Sequence, residues 1–273
     1  GNAAVKAAAD LKLSVGTAVS ESSSAYSYGL YVSGSIAMSG TADQAVKITC
    51  SCLTDHATAL YSRSENDAQM LQYAEIAIGS AQTRRIVDGL YSYGSLALQH
   101  STLTYYGSGM AISAYTGRTE ITDSRVTAES DTDVSVVWGT TGIAVRDSVL
   151  DIRGGMDQLG SGGPISIDGS QVSCSPLTGY EQNTAWGIAV EEDSAAEGGG
   201  DITITDSTVR AAAGIREDQG PVAGISNAKG SICIRDSEVT AAAAAAGGSG
   251  IRAAAGNLQV SGGRLMLSGG LAA

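Results

Sequence analysis

The sequence predicts an all-β fold in which short strands recur at the spacing of one supersecondary unit. Residues 202–209 read ITITDSTV, and residues 232–239 repeat this phrase as ICIRDSEV. Apolar and polar residues alternate in the first half of the phrase, and this period of two is typical of strands. A recurrent unit built from such strands predicts a solenoid. The composition agrees, because 36 glycines and no phenylalanine suit a narrow interior of small and aliphatic side chains.

A second landmark, a small residue followed by an aliphatic one, is predicted to open each coil. It recurs at intervals of 20 to 37 residues, which fits strands of fixed position joined by turns of variable length. The pairs begin at Gly29, Ala59, Gly89, Gly109, Ser135, Gly155, Gly187, Gly224 and Gly250. We therefore predict about nine to ten coils over residues 29–267. An N-terminal cap or first coil is expected over residues 1–28, and a short C-terminal end over residues 268–273.

Each coil is expected to place the apolar side chains of the phrase inside the solenoid. Ile202 and Ile204 should face inward, the chain should bend at Asp206, and Ser207 and Val209 should then face inward again. Because coils stack about 4.8 Å apart, each isoleucine should lie on an isoleucine and each serine on a serine. Burial of these columns, at about 25 cal/mol per Å², is the expected main source of stability.

The phrases GDITITDSTV, at residues 200–209, and GSICIRDSEV, at residues 230–239, resemble repeats of right-handed parallel β-helix surface proteins from bacteria. These proteins share the pectate-lyase-like solenoid, and the resemblance covers most of residues 29–267. It implies a single-stranded right-handed parallel β-helix that is secreted or attached to the cell surface and whose usual ligand is a polysaccharide. It does not select an activity, because this solenoid hosts lyases, hydrolases, adhesins and passive stalks.

The charge balance argues against several classes of partner. The chain has 16 basic and 28 acidic residues, a net charge of −12, and therefore no basic surface for nucleic acid or anionic lipid. No apolar run approaches the roughly 18 residues of a membrane span. The start at Gly1, without an initiator methionine or a signal peptide, is expected for a chain whose leader has been removed. Four scattered cysteines suit neither a disulfide framework nor a zinc site.

A column of tyrosines is the first candidate for a binding site. Tyr31, Tyr61 and Tyr91 are separated by 30 residues each, so in register they should stack on the outside of three successive coils. Tyr93 is assigned to the same surface, and nearby tyrosines could widen it: Tyr28, Tyr105, Tyr106 and Tyr115. A flat apolar ring with a hydroxyl suits a sugar ligand. The alternative is that the stacked rings only stabilise an outer sheet face. The same column is expected to continue as Ala111, Ala189, Ser226 and Arg252.

Aspartates at the bend of the phrase form a second candidate, for a metal. Asp123 and Asp147 are predicted to lie on adjacent coils, and so are Asp206 and Asp236. Like charges about 5 Å apart could recruit calcium, the one cofactor for which the sequence gives a reason. The alternative is that each aspartate simply forms the turn. His100 occupies the same slot, and a turn role is predicted for it.

Acidic residues near the two tryptophans form the third candidate, a catalytic cleft. Asp131 and Asp133 lie near Trp138, while Glu191 and Glu192 follow Trp186 at the start of the longest insertion. Paired carboxylates beside an indole are typical of a glycosidase site. The alternative is that acidic, glycine-rich loops are solvated turns.

These observations predict a non-catalytic extracellular or cell-surface β-solenoid, adhesin-like or polysaccharide-binding, with the tyrosine column facing a polysaccharide or cell-surface glycan. The first alternative is a polysaccharide lyase or glycoside hydrolase of the β-helix type, and the second is a structural spacer without a ligand. The sequence leaves the glycan and the oligomeric state open.

Overall fold

The computed structural model describes residues 11–15, 27–52, 57–65, 68–82, 86–191, 200–215 and 222–270. Within these residues the chain forms 28 strands and one three-residue 3-10 helix at Glu181–Asn183. Three sheets are visited in turn, once per coil, and neighbouring strands pair in parallel. The predicted all-β parallel solenoid is therefore confirmed. No helix of the described part is long and apolar enough to cross a membrane.

Three sheets, here named A, B and C, form the walls of the solenoid. Sheet A contains Leu11–Val15 (β1), Val46–Cys52 (β4), Ala74–Gly79 (β7), Thr102–Gly107 (β10), Arg125–Ser130 (β13), Val149–Gly154 (β16), Gln171–Ser175 (β19), Thr208–Ala213 (β22), Glu238–Ala246 (β25) and Arg264–Gly270 (β28). Sheet B contains Ser27–Val32 (β2), Ala57–Ser62 (β5), Ile86–Ser92 (β8), Ile112–Ala114 (β11), Val137–Gly139 (β14), Asp157–Ser161 (β17), Trp186–Val190 (β20), Ala223–Asn227 (β23) and Ser249–Ala253 (β26). Sheet C contains Ala37–Ser39 (β3), Gln69–Gln72 (β6), Leu96–Gln99 (β9), Arg118–Thr122 (β12), Gly142–Arg146 (β15), Ile165–Asp168 (β18), Ile202–Thr205 (β21), Ile232–Arg235 (β24) and Leu258–Ser261 (β27).

The number of turns is slightly smaller than predicted. Sheets B and C each have nine described strands, so the chain makes about eight full turns from the first strand of a sheet to its last. The sequence spacing predicts nine to ten coils. Of the predicted cap, residues 11–15 already pair in sheet A as β1, and most of the rest lies outside the described residues.

The inward positions of the phrase form continuous apolar columns. Ile202 pairs in register with Ile165 and Ile232, and its side chain has no exposed surface. Ile204 lies in a parallel column and is equally buried, as is Val209 on β22. The predicted inward residues are therefore confirmed. Their packing removes apolar surface from water along the whole length of the solenoid.

The bend of the phrase adopts one conformation on most coils. Its residues have φ between 46° and 49° at Tyr73, His100, Asp123, Asp147, Asp206 and Asp236, and glycine takes the slot at Gly169 and Gly262. This left-handed conformation is open to glycine and is adopted by asparagine and aspartate more readily than by most other residues. The aspartates are thus turn residues, and His100 occupies the slot predicted for it.

Serines directly after the bend form a hydrogen-bonded ladder inside the corner between sheets C and A. The backbone N–H of Ser124 donates to the hydroxyl of Ser148 at 3.0 Å, and the Ser148 N–H donates to the hydroxyl of Ser170 at 3.1 Å. The Ser148 hydroxyl itself donates to the carbonyl of Arg146 at 2.6 Å. The same pattern links the buried serines Ser101, Ser124, Ser148, Ser170, Ser207 and Ser237. Each hydroxyl accepts from a buried backbone N–H of the preceding coil that would otherwise lack a partner, and it donates to a carbonyl that also accepts a backbone N–H.

Three of the nine predicted landmark pairs are wrong in register. Leu90 pairs with Ile112, and the column continues through Val137 and Leu159. The sequence instead assigns this inward position to Met110, Val136 and Met156. Small-aliphatic pairs also occur in the turns before these strands, and Met110 and Met156 remain partly exposed there, whereas Ile112 and Leu159 are fully buried. The inward column of sheet B therefore runs through Ile112, Val137 and Leu159, one to three residues after the predicted positions.

We expect the serine ladder to stabilise the fold measurably. Ser148→Ala leaves the buried Ser124 N–H without its partner, whereas the Arg146 carbonyl still accepts from the Asp123 N–H, so the free energy of unfolding should fall by about 1–3 kcal/mol. Urea denaturation followed by circular dichroism measures the change. Ser51→Ala, at an exposed serine of β4, is the matched control and should change stability by less than about 0.5 kcal/mol. Equal effects of the two substitutions would contradict the role assigned to the ladder.

Candidate functional site

The register of sheet B brings the three predicted tyrosines together. Tyr31 pairs with Tyr61, and Tyr61 pairs with Tyr91, on β2, β5 and β8. Their ring centroids are 5.2 and 5.0 Å apart, and the ring planes differ by 6° and 9°. These rings therefore stack on the outside of three successive coils, as their spacing of 30 residues predicts. Each stacked pair contributes roughly 0.5–1.5 kcal/mol beyond the burial of its area.

Three further tyrosines extend the column into a continuous surface. Tyr28 meets Tyr31 and Tyr61 edge to face at 5.2 Å, and Tyr115 lies 6.1 Å from Tyr91 and 5.1 Å from Tyr93. The tyrosine stripe, as we name it, consists of Tyr28, Tyr31, Tyr61, Tyr91, Tyr93 and Tyr115. It covers the described outer surface of four coils of sheet B.

Two of the neighbouring tyrosines that the sequence suggested for this surface do not belong to it. Tyr105 lies on β10 of sheet A, where its ring points inward and is fully buried. Its hydroxyl accepts a hydrogen bond from the Gly109 N–H at 3.1 Å. Tyr106 follows it on the outer face of sheet A. Alternation along β10 turns adjacent side chains to opposite faces, which sequence proximity does not reveal.

The column beyond Tyr91 also differs from the expected one. Tyr91 pairs with Ser113, not with Ala111, and Ser113 pairs with Trp138. The Trp138 indole donates to the hydroxyl of Thr140 at 2.9 Å, and that hydroxyl donates to the carbonyl of Tyr115 at 2.6 Å. After Ser113, the next residue of the column is thus again aromatic, Trp138. The remaining expected members, Ala189, Ser226 and Arg252, are in register.

Stacking determines which parts of the stripe a ligand can contact. Tyr61 lies between Tyr31 and Tyr91, so its two faces are largely covered by neighbouring rings, and mainly its edge and hydroxyl face the solvent. Tyr28 packs edge-on against the stack, and Tyr115 stacks on Tyr91 at a larger separation of 6.1 Å. Tyr28, Tyr31 and Tyr115 are 37%, 43% and 50% exposed. Ring faces are thus available mostly at the two ends of the stripe, and hydroxyl groups along its middle.

The stripe carries uncharged hydroxyls and one cation. Burial, followed by the neighbouring Tyr28 and Tyr31, raises the pKa of Tyr61, so its phenol stays protonated at neutral pH. Burial also raises the pKa of Tyr91. The exposed Arg63 guanidinium hydrogen-bonds the Tyr31 hydroxyl, and this contact raises the pKa of Arg63. The middle of the stripe therefore offers hydroxyl groups beside a fixed positive charge.

A partly buried carboxyl group lies near Tyr91. Asp88 on β8 accepts a hydrogen bond from the Met110 N–H at 3.3 Å. Burial raises the pKa of Asp88 from 3.8 to about 6, and that hydrogen bond offsets only part of the effect. This aspartate could not be predicted from the sequence, because its burial depends on the turn of the following coil.

The aspartates proposed for calcium lie on adjacent coils as predicted. Each occupies the left-handed position of the turn between sheets C and A. The Asp123 N–H donates to the Arg146 carbonyl at 3.0 Å, and the Asp123 carboxylate lies 3.6 Å from the His100 ring nitrogen Nδ1. Across the described parts of the chain, no group of three or more His, Cys, Asp or Glu side chains is arranged to hold a metal. The geometry supports the turn-forming alternative, and calcium binding stays a prediction.

The acidic residues proposed for catalysis are spread over the solenoid. Asp131 and Asp133 precede the first residue of β14, whereas Glu191 follows the last residue of β20, two coils further along and beyond the opposite ends of the parallel strands. The register separates Asp133 from Glu191 by on the order of 20 Å, whereas glycosidase carboxyl pairs lie within about 5–9.5 Å. Glu192 lies outside the described residues. Asp133 and Glu191 therefore do not form a carboxylate pair of the glycosidase type. Lyase or hydrolase activity stays a prediction.

Comparisons with known proteins add no closer assignment. No family model, curated protein or solved structure matches the chain. The parallel β-solenoid is thus shown by the structure itself. Its handedness, its kinship with the pectate-lyase-like group and a bacterial surface origin stay predictions from the sequence.

The turn role of the aspartates is testable at Asp206. Asp206→Gly should change the free energy of unfolding by less than about 1 kcal/mol, because glycine adopts φ of 48° without strain. Asp206→Val should lower it by about 1–2 kcal/mol or more, because a β-branched residue is strained there. Urea titrations in calcium and in EDTA measure both. A calcium-dependent gain in wild-type stability that Asp206→Gly removes would show that the carboxylate binds metal.

Asp88 should make stability depend on pH. Its folded pKa lies above its unfolded value, so its contribution to stability is present below about pH 4 and is lost as the pH rises through about 6. Asp88→Asn keeps a hydrogen-bond acceptor and cannot ionise. Relative to wild type, the variant should gain about 2–3 kcal/mol in free energy of unfolding between pH 4 and pH 7. Asp43→Asn, at an exposed carboxyl, is the control, and a parallel pH profile for both variants would refute the assignment.

Proposed function

We propose that this protein is a non-catalytic, extracellular glycan-binding solenoid and that the tyrosine stripe is its binding face. The observation that carries the proposal is the continuous contact of six tyrosines, three of which, Tyr28, Tyr31 and Tyr115, are 37–50% exposed. Singly exposed apolar residues are ordinary on protein surfaces, whereas a contiguous exposed aromatic surface is typical of a binding site.

The chemistry of the stripe suits a chain of sugar rings. The exposed faces of Tyr28 and Tyr115 can pack on the apolar C–H face of a sugar, and the hydroxyls between them can donate to and accept from sugar hydroxyls. The strands hold the side chains in register, so little conformational entropy is lost when a ligand binds. A rigid, extended site of this kind favours a polymer over a single sugar.

Resemblance of the repeat phrase to bacterial surface solenoids supports the proposed location outside the cell. The net charge of −12 agrees with a partner that is neither nucleic acid nor an anionic membrane. The glycan would be a polysaccharide or a cell-surface oligosaccharide.

Substitution at the ends of the stripe separates binding from stability. The double variant Tyr28→Ala with Tyr115→Ala removes two of the three exposed rings and leaves the central stack of Tyr31, Tyr61 and Tyr91 in place. We expect it to weaken glycan binding about tenfold or more, with the fold retained by circular dichroism. A glycan array followed by calorimetry on the best ligand gives the measurement.

Met70→Ala is the matched control, because Met70 is 40% exposed but lies on β6 of sheet C, away from the stripe. It should leave binding unchanged. Tyr61→Ala should mainly reduce stability, because it removes two stacking contacts. Unchanged glycan binding by the Tyr28 and Tyr115 double variant would refute the stripe as the binding face. A wild type that binds no glycan while Tyr61→Ala is destabilised would assign the stripe to stability alone.

A further inference from the structure

A second concave surface lies on the outer face of sheet A, away from the tyrosine stripe. It crosses β13, β16, β19 and β22 and has a volume of about 670 Å³. Three arginines, Arg125, Arg153 and Arg210, surround polar side chains that include Gln171, Ser173 and Thr208. The volume lies within the usual range for small-ligand sites. We name this surface the arginine groove.

One wall of the groove is a loop held in place by the solenoid. The loop follows β19, and its Leu177 side chain is buried close to Gly154. The Tyr180 N–H donates to the Leu177 carbonyl at 2.9 Å, and the Ile215 N–H donates to the Glu181 carbonyl at 3.3 Å. The concavity therefore exists without a ligand, and binding need not order this wall.

The charges of the groove are not balanced locally. The Arg153 guanidinium contacts the Asp151 carboxylate at 3.0 Å and the Glu129 carboxylate at 3.4 Å. Arg125 and Arg210 form no ion pair with any described residue. With Asp151 and Glu129 both counted, the three arginines exceed the carboxylates of the groove by one charge. This excess stands out in a chain with a net charge of −12. Because Arg125 and Arg210 lie three strands apart, roughly 15 Å separates their backbones.

We propose that the arginine groove binds an anionic oligosaccharide, with a sulfate or carboxylate group at each of Arg125 and Arg210. Guanidinium groups match the planar or tetrahedral oxygens of such groups by paired hydrogen bonds. Gln171, Ser173 and Thr208 supply neutral donors and acceptors between them for sugar hydroxyls. A peptide strand is disfavoured, because the strands under the groove are paired on both sides and expose no edge for strand addition.

Calorimetry on the intact chain at low ionic strength tests the proposal with five probes: a sulfated, a uronate and an uncharged tetrasaccharide, inorganic sulfate and a tetrapeptide of aspartate. A sulfated tetrasaccharide and a uronate tetrasaccharide should bind, and their affinity should fall as salt is added. An uncharged tetrasaccharide and inorganic sulfate should bind at least about tenfold more weakly. Equal affinity for the uncharged chain, for sulfate alone or for a tetrapeptide of aspartate would overturn the assignment to an anionic oligosaccharide.

Matched arginine variants locate the binding. The double variant Arg125→Gln with Arg210→Gln should lower the affinity for the anionic tetrasaccharides by roughly tenfold or more. Arg235→Gln with Arg252→Gln removes the same charge from sheets C and B and should bind like wild type. The variant with both groove arginines changed to lysine keeps the charge and should bind with intermediate affinity. Equal losses in the glutamine pair and its control would place the effect in net charge and refute the site.

The tyrosine-stripe variant provides the last control. Tyr28→Ala with Tyr115→Ala should bind the anionic tetrasaccharides like wild type, because the stripe lies on sheet B and the groove on sheet A. Loss of this binding in the stripe variant, with the groove variant unaffected, would assign the anionic ligand to the stripe and overturn the groove.

Discussion

The position of each coil on the next depends on one buried corner, where a left-handed residue is followed by a serine. The left-handed turn directs the chain from sheet C into sheet A, and the serine hydroxyl joins that turn to the coil before it. Since both features recur at the same place, successive coils cannot slip by a residue without leaving buried backbone groups unpaired. The isoleucine side chains inside the solenoid then stack on those of the neighbouring coils, and the side chains on the outer faces of the sheets are held in the same register.

This fixed corner explains why the candidate sites lie elsewhere. The turns between sheets A and B and between sheets B and C vary in length, so they can carry loops without disturbing the register. The tyrosine stripe uses the outer face of sheet B, and the arginine groove uses sheet A together with a loop from the A–B turn. Residues from distant parts of the chain meet at both sites, because the scaffold repeats while its surface is free to change.

Much of the scaffold and part of the stripe could be predicted from the sequence. The alternation at Ile202 and Ile204 fixed the strands, and equal spacing of Tyr31, Tyr61 and Tyr91 was enough to predict their contact because those coils have equal length. The prediction failed between residues 107 and 159, where coils are shorter and small-aliphatic pairs also occur in turns. The arginine groove could not be predicted. Arg125 and Arg210 lie on the same face only because of the lengths of the three coils between them, and those lengths vary with the turns.

The serine ladder also gives the molecule a direction. Every serine N–H in it donates to the serine hydroxyl of the following coil. Each coil thus supplies the acceptor for the coil before it and depends on the coil after it for its own. The series ends at Gly262 and Gly263, which occupy the slots of the turn residue and the serine; both have positive φ, and the closeness of the Ser237 backbone leaves no room for a side chain at Gly263. A coil with this pair can follow another coil but offers no hydroxyl to it. The ladder is therefore polar along the solenoid axis, and the glycine pair ends it because Gly263 has no hydroxyl to accept from the Ser237 N–H.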